Sequence, residues 1–481
     1  MSYNRNYIEF LFGNKLERIV WDSQQTLMPT TTVLQYLRGL SNFKGTKEGC
    51  AEGDCGACTV VVAAIGMNGK LEYKAVNSCL VFLPQIHGKQ LLAVEHLSDK
   101  NSALHPVQKA MVEMDASQCG FCTPGFVMSL FALYKNSSQP TDETILDAFA
   151  GNLCRCTGYQ SILKAARYAL NEMTPDSFTE KEKNTIHLLQ TINKGDACFK
   201  SANQAYYFSE TLASALTFKN KFPKIQILSG ASDIALRVTK KKEILAEVLD
   251  LSGIEELKIV HKTPQGYDIG SGVSLQTLKE DLHSELPALG KILSVFGSKQ
   301  IRQVATIGGN LGSASPIGDL IPLLMAYRAV VVVKSPIQNR SIPILEFIKG
   351  YHQINLFEDE LITMIHFPKP KNNSIIDSEK ISKRTDLDIS TVSAAMELEL
   401  TSDKKIASIH LYFGGMAAVA KIAAHTCEFL TGKKWEAATM EEAGAFLEKD
   451  FAPISDARAE AEGRMALVKN LLIKFWQNNP E

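Results

Sequence analysis

The sequence predicts a multidomain α+β protein, and three of its features point that way. The chain has 481 residues, more than one hydrophobic core supports, so several domains of roughly 100 to 200 residues are expected. Its apolar pattern changes from strand-like alternation to helical spacing near residue 105, and to a mixture of the two near residue 205. Eight of its 10 cysteines precede residue 157, which confines one kind of chemistry to the first third of the chain. A hydrophobic content of 45% with a formal net charge of -1 excludes the basic footprint of a nucleic-acid binder and the composition of a disordered chain. The start, MSYNRNYIEFLFGNKLERIVW, lacks a basic segment followed by a continuous apolar run, and no stretch of about 18 apolar residues occurs. A cytoplasmic protein with no membrane partner is expected.

Residues 1–95 alternate β-type runs with turn signals: YIEFLF, ERIVW, TVVVAAI, YKAVNSCLVFL and QLLAVEHL, interrupted by a helix over Thr32 to Arg38. They predict a small mixed sheet domain. Residues 96–170 predict a compact helical module, with helices around Val107–Met114, Gly125–Tyr134, Glu143–Phe149 and Ile162–Leu170. Asp142 and Glu143 sit where a helix N-terminus favours negative charge. The polar stretch 171–204 reads as a linker. Residues 205–370 alternate strands such as IQILSG, EVLDLSG, YDIGSGV and AVVVVKS with helices such as SETLASALTFKN and LQTLKEDLHSEL, an α/β pattern. Residues 371–481 read as a C-terminal α+β domain, with strands expected across Lys380 to Leu400 and over Ile406 to Phe413.

Cys50, Cys55 and Cys58 form C-x4-C-x2-C, and Cys79 lies further on. That is the plant-type ferredoxin arrangement for a [2Fe-2S] cluster, which takes four thiolates. Gly49, Gly53 and Gly56 fit it physically, because backbone N–H groups of a tight ligand loop must approach sulfur and a Cβ would block them. Structural zinc is the alternative, although zinc favours paired C-x2-C knuckles and one such pair is present here. In the second set, QCGFCTPG supplies Cys119 and Cys122, and GNLCRCTGYQ supplies Cys154 and Cys156. By spacing alone these four form a four-thiolate site for zinc or iron-sulfur. Cys198 and Cys427 stand alone and read as packing residues.

EGCAEGDCGACTVVV, QCGFCTPG and GNLCRCTGYQ together resemble the iron-sulfur portion of the xanthine dehydrogenase and aldehyde oxidase family of molybdenum hydroxylases. The resemblance implies a β-grasp, ferredoxin-like [2Fe-2S] domain followed by a four-helix domain holding a second [2Fe-2S] cluster on Cys119, Cys122, Cys154 and Cys156. It also implies that Gln118 and Cys156 lie close to molybdopterin held by a partner subunit.

LSGASDIAL and TIGGNLGSASPIGDL place consecutive small residues after apolar strands, which suits close backbone approach to a pyrophosphate. Taken alone, such stretches are also ordinary tight turns. Together they resemble the FAD domain of the same family, of the vanillyl-alcohol-oxidase-like type. That resemblance assigns Leu228, Ser229, Gly230, Ala231, Ser232, Asp233, Ile234 and Ala235 to the diphosphate and ribityl chain. It places Phe296 beside the isoalloxazine, puts Thr306, Gly308, Gly309 and Asn310 in the second flavin motif, and gives Asp319 a hydrogen bond to FAD. Family members often carry Asn-Thr-Glu where Ala231, Ser232 and Asp233 stand, so an Asn amide is lost. KRTDLDIS, with Lys383, Arg384, Asp386 and Asp388, and FGGMA, Phe413 to Ala417, resemble a later family segment; alternatively they are a solvated charge cluster and a tight turn. The same resemblance would bring Lys421 toward the flavin from this side.

The chain stops at Glu481 without the molybdopterin portion of full-length family enzymes. The resemblance is therefore to the iron-sulfur/FAD small subunit that bacterial members carry separately, in a heterotetramer of two small and two large subunits. It implies a substrate, xanthine or hypoxanthine, hydroxylated on the molybdopterin-binding large subunit, with electrons passing through the two [2Fe-2S] clusters to FAD and then NAD+. A subunit of an aldehyde or N-heterocycle hydroxylase shares every motif, and a zinc-binding interaction protein is the reading of another class.

Overall fold

The computed structural model describes residues 5–22, 27–98, 104–171 and 173–480. Residues 1–4 and 23–26 of the first expected domain, 99–103 at the start of the helical module, Glu172 of the expected linker and Glu481 lie outside the described residues. The protein is a multidomain α+β chain. By compactness it divides into two units, Met1–Ala215 with Lys224–Glu255 and Ser298–Ala305, and Leu216–Pro223 with Glu256–Gly297 and Thr306–Glu481.

The first unit opens with a five-stranded sheet in the order Lys15–Val20, Tyr7–Phe12, Gln90–Leu92, Thr59–Ile65, Leu71–Asn77. Within the run TVVVAAI of an interior strand, Val60 to Ala63 are apolar without a break because both faces are covered there, as fully buried strands require. Val60 and Val62 face a core with Val33, Leu34 and Leu37 of the helix Val33–Gly39, while Val61 and Ala63 face Phe126 and Phe131 of the helical module. The helix Val33–Gly39 starts in a capping box: Thr32 Oγ1 accepts the Gln35 N–H at 3.2 Å and Gln35 Oε1 accepts the Thr32 N–H at 2.9 Å, which satisfies two otherwise unpaired donors. Two expected strands are shorter than their apolar runs. YKAVNSCLVFL leaves the sheet at Asn77, where the Ser78 hydroxyl and N–H both turn back to the Cys58 carbonyl. QLLAVEHL contributes three strand residues and then a 3-10 turn over Val94–His96.

The helices Pro106–Glu113, Thr123–Asn136, Asp142–Phe149 and Gln160–Asn171 follow. Gly125 to Tyr134 are buried without a break, so the second of these helices is the axis of the module. The stretch 171–204, expected to be a linker, is a correction. It holds a helix, Ser177–Thr191, capped by Asp176 and burying Phe178, Thr185 and Leu189, and a strand, Ala197–Ser201. Its charged residues occupy the outer face, and the few apolar ones at helical spacing were enough to dock it. The unit ends in a four-stranded sheet, Ala197–Ser201, Gln204–Phe208, Glu247–Asp250, Gln226–Leu228, whose last three strands are parallel.

The second unit holds a five-stranded antiparallel sheet, Val260–Thr263, Gly266–Gly270, Leu361–Pro368, Val330–Lys334, Asn339–Pro343. The expected 205–370 domain thus contributes two sheets of different pairing. The C-terminal sheet runs Ser374–Ile381, Val392–Leu400, Ile406–Gly414, Lys421–Ile422, packed by the helices Ala424–Leu430, Ala437–Ala443 and Ala461–Asn478. The expected strand from Lys380 to Leu400 is interrupted: KRTDLDIS is a loop between two strands, because Arg384 and Asp388 pair locally across it, with the Arg384 N–H donating to Asp388 at 2.9 Å. No helix among the described residues is long and apolar enough to cross a membrane.

Candidate iron-sulfur and flavin sites

The four cysteines of the first set meet in pairs. Cys50 and Cys55 share one turn, where the Cys50 N–H donates to Cys55 Sγ at 3.4 Å, while Cys58 Sγ and Cys79 Sγ lie 3.4 Å apart. The N–H groups of Asp54 and Cys55 point at Cys50 Sγ, each at 3.3 Å, and that of Glu52 at 3.4 Å. The Cys55 thiol hydrogen bond, then these N–H donors, outweigh burial and pull the Cys50 thiol down to about 5. Such a cage stabilises negative charge on sulfur. Gly49 is required by space, since a Cβ there would lie 2.7 Å from Cys55 Sγ. Gly56 is required twice: its φ is +67°, and a Cβ would lie 2.1 Å from the Gly151 carbonyl oxygen.

The second set also pairs, Cys119 with Cys156 at 3.6 Å between sulfurs and Cys122 with Cys154 through a thiol hydrogen bond. Cys122 occupies the N-cap position of the helix Thr123–Asn136 without a side-chain capping bond. The Cys154 N–H donates to the Tyr159 hydroxyl at 3.0 Å, across a turn in which Gly158 and Tyr159 are both left-handed. Burial pushes the Cys122 thiol up to about 12. The two sets differ in access: Cys58 and Cys79 are buried, whereas Cys119 and Cys156 are exposed. Gln118 is exposed beside them. Among the described residues no three His, Cys, Asp or Glu side chains close on a single metal-ion position. Two pairs per set match the demand of a diiron cluster, two thiolates on each iron, better than one tetrahedral ion. Cys198 and Cys427 lie apart from both sets, each with its thiol pushed up by burial, Cys427 to about 12.

In the first unit, Leu228 ends its strand and Ser229 to Ile234 form the turn into the helix Ala235–Thr239. A Cβ on Gly230 would sit 1.8 Å from the Val304 carbonyl oxygen. Ala231 is buried with φ +63°, a left-handed conformation that Asn tolerates and Ala does not favour. The position where the family often has Asn is therefore conformationally special. In the second unit, Thr306 Oγ1 accepts the Gly309 N–H at 3.0 Å and caps the helix Ile307–Ser313. A Cβ on Gly308 would meet Ser271 Cβ at 2.5 Å. Asn310 Oδ1 is buried without a protein partner, which fits a ligand donor at this motif. Phe296 is half-buried just after the helix Pro287–Ser294.

Asp319, for which a hydrogen bond to FAD is expected, also has partners within the chain. Lys380 Nζ donates to its Oδ2 at 2.9 Å and the Ser390 hydroxyl donates to Oδ1, all buried. Sequence reasoning missed Lys380, whose only signal was a lone lysine in a strand. Lys421 turns to the Asp450 carbonyl at 3.1 Å. Also missed was Lys240, which donates to the Cys50 carbonyl at 3.1 Å.

A family model described as "[2Fe-2S] binding domain" matches residues 93–167. "FAD binding domain in molybdopterin dehydrogenase" matches 199–370, and "CO dehydrogenase flavoprotein C-terminal domain" matches 378–479. Xanthine dehydrogenase from Emericella nidulans is 32% identical over 88% of this chain and 35% of the relative. That from Blastobotrys adeninivorans is 32% identical over 97% of this chain and 41% of the relative. The chain thus spans well under half the length of these relatives. Two solved structures share the fold. Carbon monoxide dehydrogenase from Hydrogenophaga pseudoflava has a TM-score of 0.53 at 20% identity, covering 56% of this chain and 94% of that one. Quinoline 2-oxidoreductase from Pseudomonas putida 86 has a TM-score of 0.53 at 21% identity, covering 57% and 95%. With [2Fe-2S] and FAD-binding domains in this order and these relatives, the chain belongs to the xanthine dehydrogenase family of molybdenum hydroxylases, as its iron-sulfur and FAD portion.

Proposed function

We propose that the chain is the electron-transfer small subunit of a bacterial-type xanthine dehydrogenase, working with a molybdopterin-binding large subunit in a heterotetramer of two small and two large subunits, with NAD+ as acceptor. The observation that carries it is the pairing of eight thiols into two four-sulfur sets, Cys50 with Cys55 within one turn and the other three pairs joined across longer stretches of chain. In this reading Cys50, Cys55, Cys58 and Cys79 hold one [2Fe-2S] cluster, and Cys119, Cys122, Cys154 and Cys156 the other. Leu228 to Ala235 cradle the FAD diphosphate, while Phe296, Thr306, Gly308, Gly309 and Asn310 hold the flavin end and Asp319 positions the Lys380 cation. When bound, the clusters supply one-electron steps and the flavin the change to two-electron chemistry.

The chain's own residues do the rest. Backbone donors stabilise charge on the Cys50 sulfur, and apolar packing keeps water from Cys58 and Cys79. Gln118, Cys119 and Cys156 open to solvent, and Phe121, Leu153 and Tyr159 of the same cysteine loops are exposed as well. An apolar rim around exposed sulfur supports docking of the partner here, with Gln118 and Cys156 toward its molybdopterin. The names of the relatives support xanthine as substrate, and aldehyde or N-heterocycle hydroxylation is the competing choice.

The test is anaerobic. Wild-type chain should carry about four irons and one flavin; NADH should bleach that flavin in the isolated chain, and xanthine should do so only in the complex with the large subunit. Fewer irons, or reduction of the isolated chain by xanthine, would overturn the reading. A complex that oxidises an aromatic aldehyde but not xanthine would assign it to the competing substrate class.

A further inference from the structure

The segment Ser298–Ala305 belongs by sequence to the flavin part of the chain, yet it packs within the unit that holds both cysteine sets. Gln300 is its centre and is fully buried. Its Nε2 lies 2.9 Å from Ser129 Oγ, 3.0 Å from the Ala148 carbonyl and 3.1 Å from Asn152 Oδ1. Ser129 in turn donates to Asn152 Oδ1 at 2.6 Å. With its oxygen end held by these donors, Asn152 aims its amide nitrogen at the Gly56 carbonyl and at Thr59 Oγ1, both at 3.1 Å. The sulfur ligands lie one or two residues away: Asn152 precedes Cys154 by two, and Gly56 follows Cys55 directly and precedes Cys58 by two. The approach is as close as backbones allow. A Cβ on Gly125 would meet the Gly56 carbonyl at 2.3 Å, and one on Gly151 would meet Gln300 Oε1 at 2.0 Å. Two residues on, the buried Arg302 pairs with Asp147 at 2.5 Å, anchoring the same segment to the helical module.

We propose that Gln300 is a positioning residue that sets the separation of the two clusters, by fixing the Asn152 turn against the Gly56 turn. This rests on the two-cluster reading above. An amide is suited to the place: its two N–H hydrogens are shared among three oxygens, and losing this donor leaves the buried Ala148 carbonyl and Asn152 Oδ1 short of a partner, which loosens the Asn152 turn. The segment carrying Gln300 comes from the flavin part of the sequence, so the cluster spacing is locked by a residue that neither cysteine loop contains.

The test uses the full chain in its assembled complex, reduced anaerobically, with electron paramagnetic resonance reading the magnetic coupling between the two reduced clusters. Gln300→Met keeps length and removes the donors; with iron content equal to wild type, its inter-cluster coupling should be weaker. Unchanged coupling at full iron, with only the unfolding temperature lowered, would reduce Gln300 to a packing residue and overturn the proposal. If Gln300→Met loads less iron, Ser129→Ala, which deletes one partner, carries the same two outcomes. Wild-type protein with fewer than about four irons would fail the cluster reading instead, before the variants are compared.

Discussion

Replacing Gly56 by Ala tests the contact between the two cysteine loops most sharply. Two costs add. The first is conformational: φ is +67°, and an L-residue in the left-handed region costs about 1–2 kcal/mol. The second is steric, because the new Cβ would lie 2.1 Å from the Gly151 carbonyl oxygen and 2.5 Å from Asn152 Nδ2. The loops must part, and the Asn152 amide, paired at 3.1 Å with both Gly56 and Thr59, loses buried partners at about 1–3 kcal/mol. The sum is about 2–5 kcal/mol against a domain stability of about 5–15 kcal/mol. Gly69 separates the terms: its φ is +77° with nothing within 4 Å of a Cβ, so Gly69→Ala pays the conformational cost alone, about 1–2 kcal/mol. Denaturant unfolding and iron analysis of the two variants should show Gly56→Ala clearly the less stable and short of iron. If the two variants lose equal stability and both keep full iron, the close approach of the loops is not what Gly56 serves.

Ala231→Asn should relieve left-handed strain at φ +63° by up to about 1 kcal/mol and tighten FAD binding through the restored amide; flavin release followed by fluorescence checks it, and faster release would count against the assigned cradle. Asp176→Asn should cost about 3–5 kcal/mol, because Lys135 Nζ at 2.7 Å and His105 Nε2 at 2.9 Å are both buried against that carboxylate, and thermal unfolding reads the loss. Burial pushes His87 and His96 down to about 4, with Nδ1 of each accepting a backbone N–H, from Glu9 and Ala93 respectively. The folded state therefore binds fewer protons than the unfolded one between about pH 6.5 and about pH 4, and stability falls as pH drops through that window, by about 3 kcal/mol per histidine. Urea unfolding at pH 7 and pH 5 measures it, and His96→Phe, whose ring would rest on Phe12 and Phe43, should remove about half of the pH dependence.

Much of the chemistry was readable in one dimension because it depends on residue types at short spacing. C-x4-C-x2-C needs only a turn to bring sulfurs together, and glycine at 53 and 56 marks the left-handed corners that the loop takes. The capping of Val33–Gly39 by Thr32 and of Asp142–Phe149 by Thr141 is equally local. Where a long-range contact competes with a local pattern, the sequence was a poorer guide. The polar stretch around Ser177–Thr191 carries few apolar residues, and its helix is held by burial against elements more than a hundred residues away in places, such as the Glu182 carboxylate on the Leu71 N–H at 3.0 Å. Likewise, Asp319 carries no sign in sequence of the buried Lys380 that occupies it.

By itself, then, the order of the amino acids determined which groups are available: eight thiols in two spaced sets, small-residue turns after apolar strands, and no excess charge for nucleic acid. Tertiary structure alone decided how those groups face one another, pairing each set of sulfurs two by two, burying Cys58 and Cys79 while leaving Cys119 and Cys156 open, and bringing Gln300 from the flavin part of the chain to the Asn152 turn that meets the Gly56 turn. The reason is physical. Ligand type and turn geometry act over a few residues, whereas burial and the pairing of buried polar groups are set by whatever the whole chain packs against them.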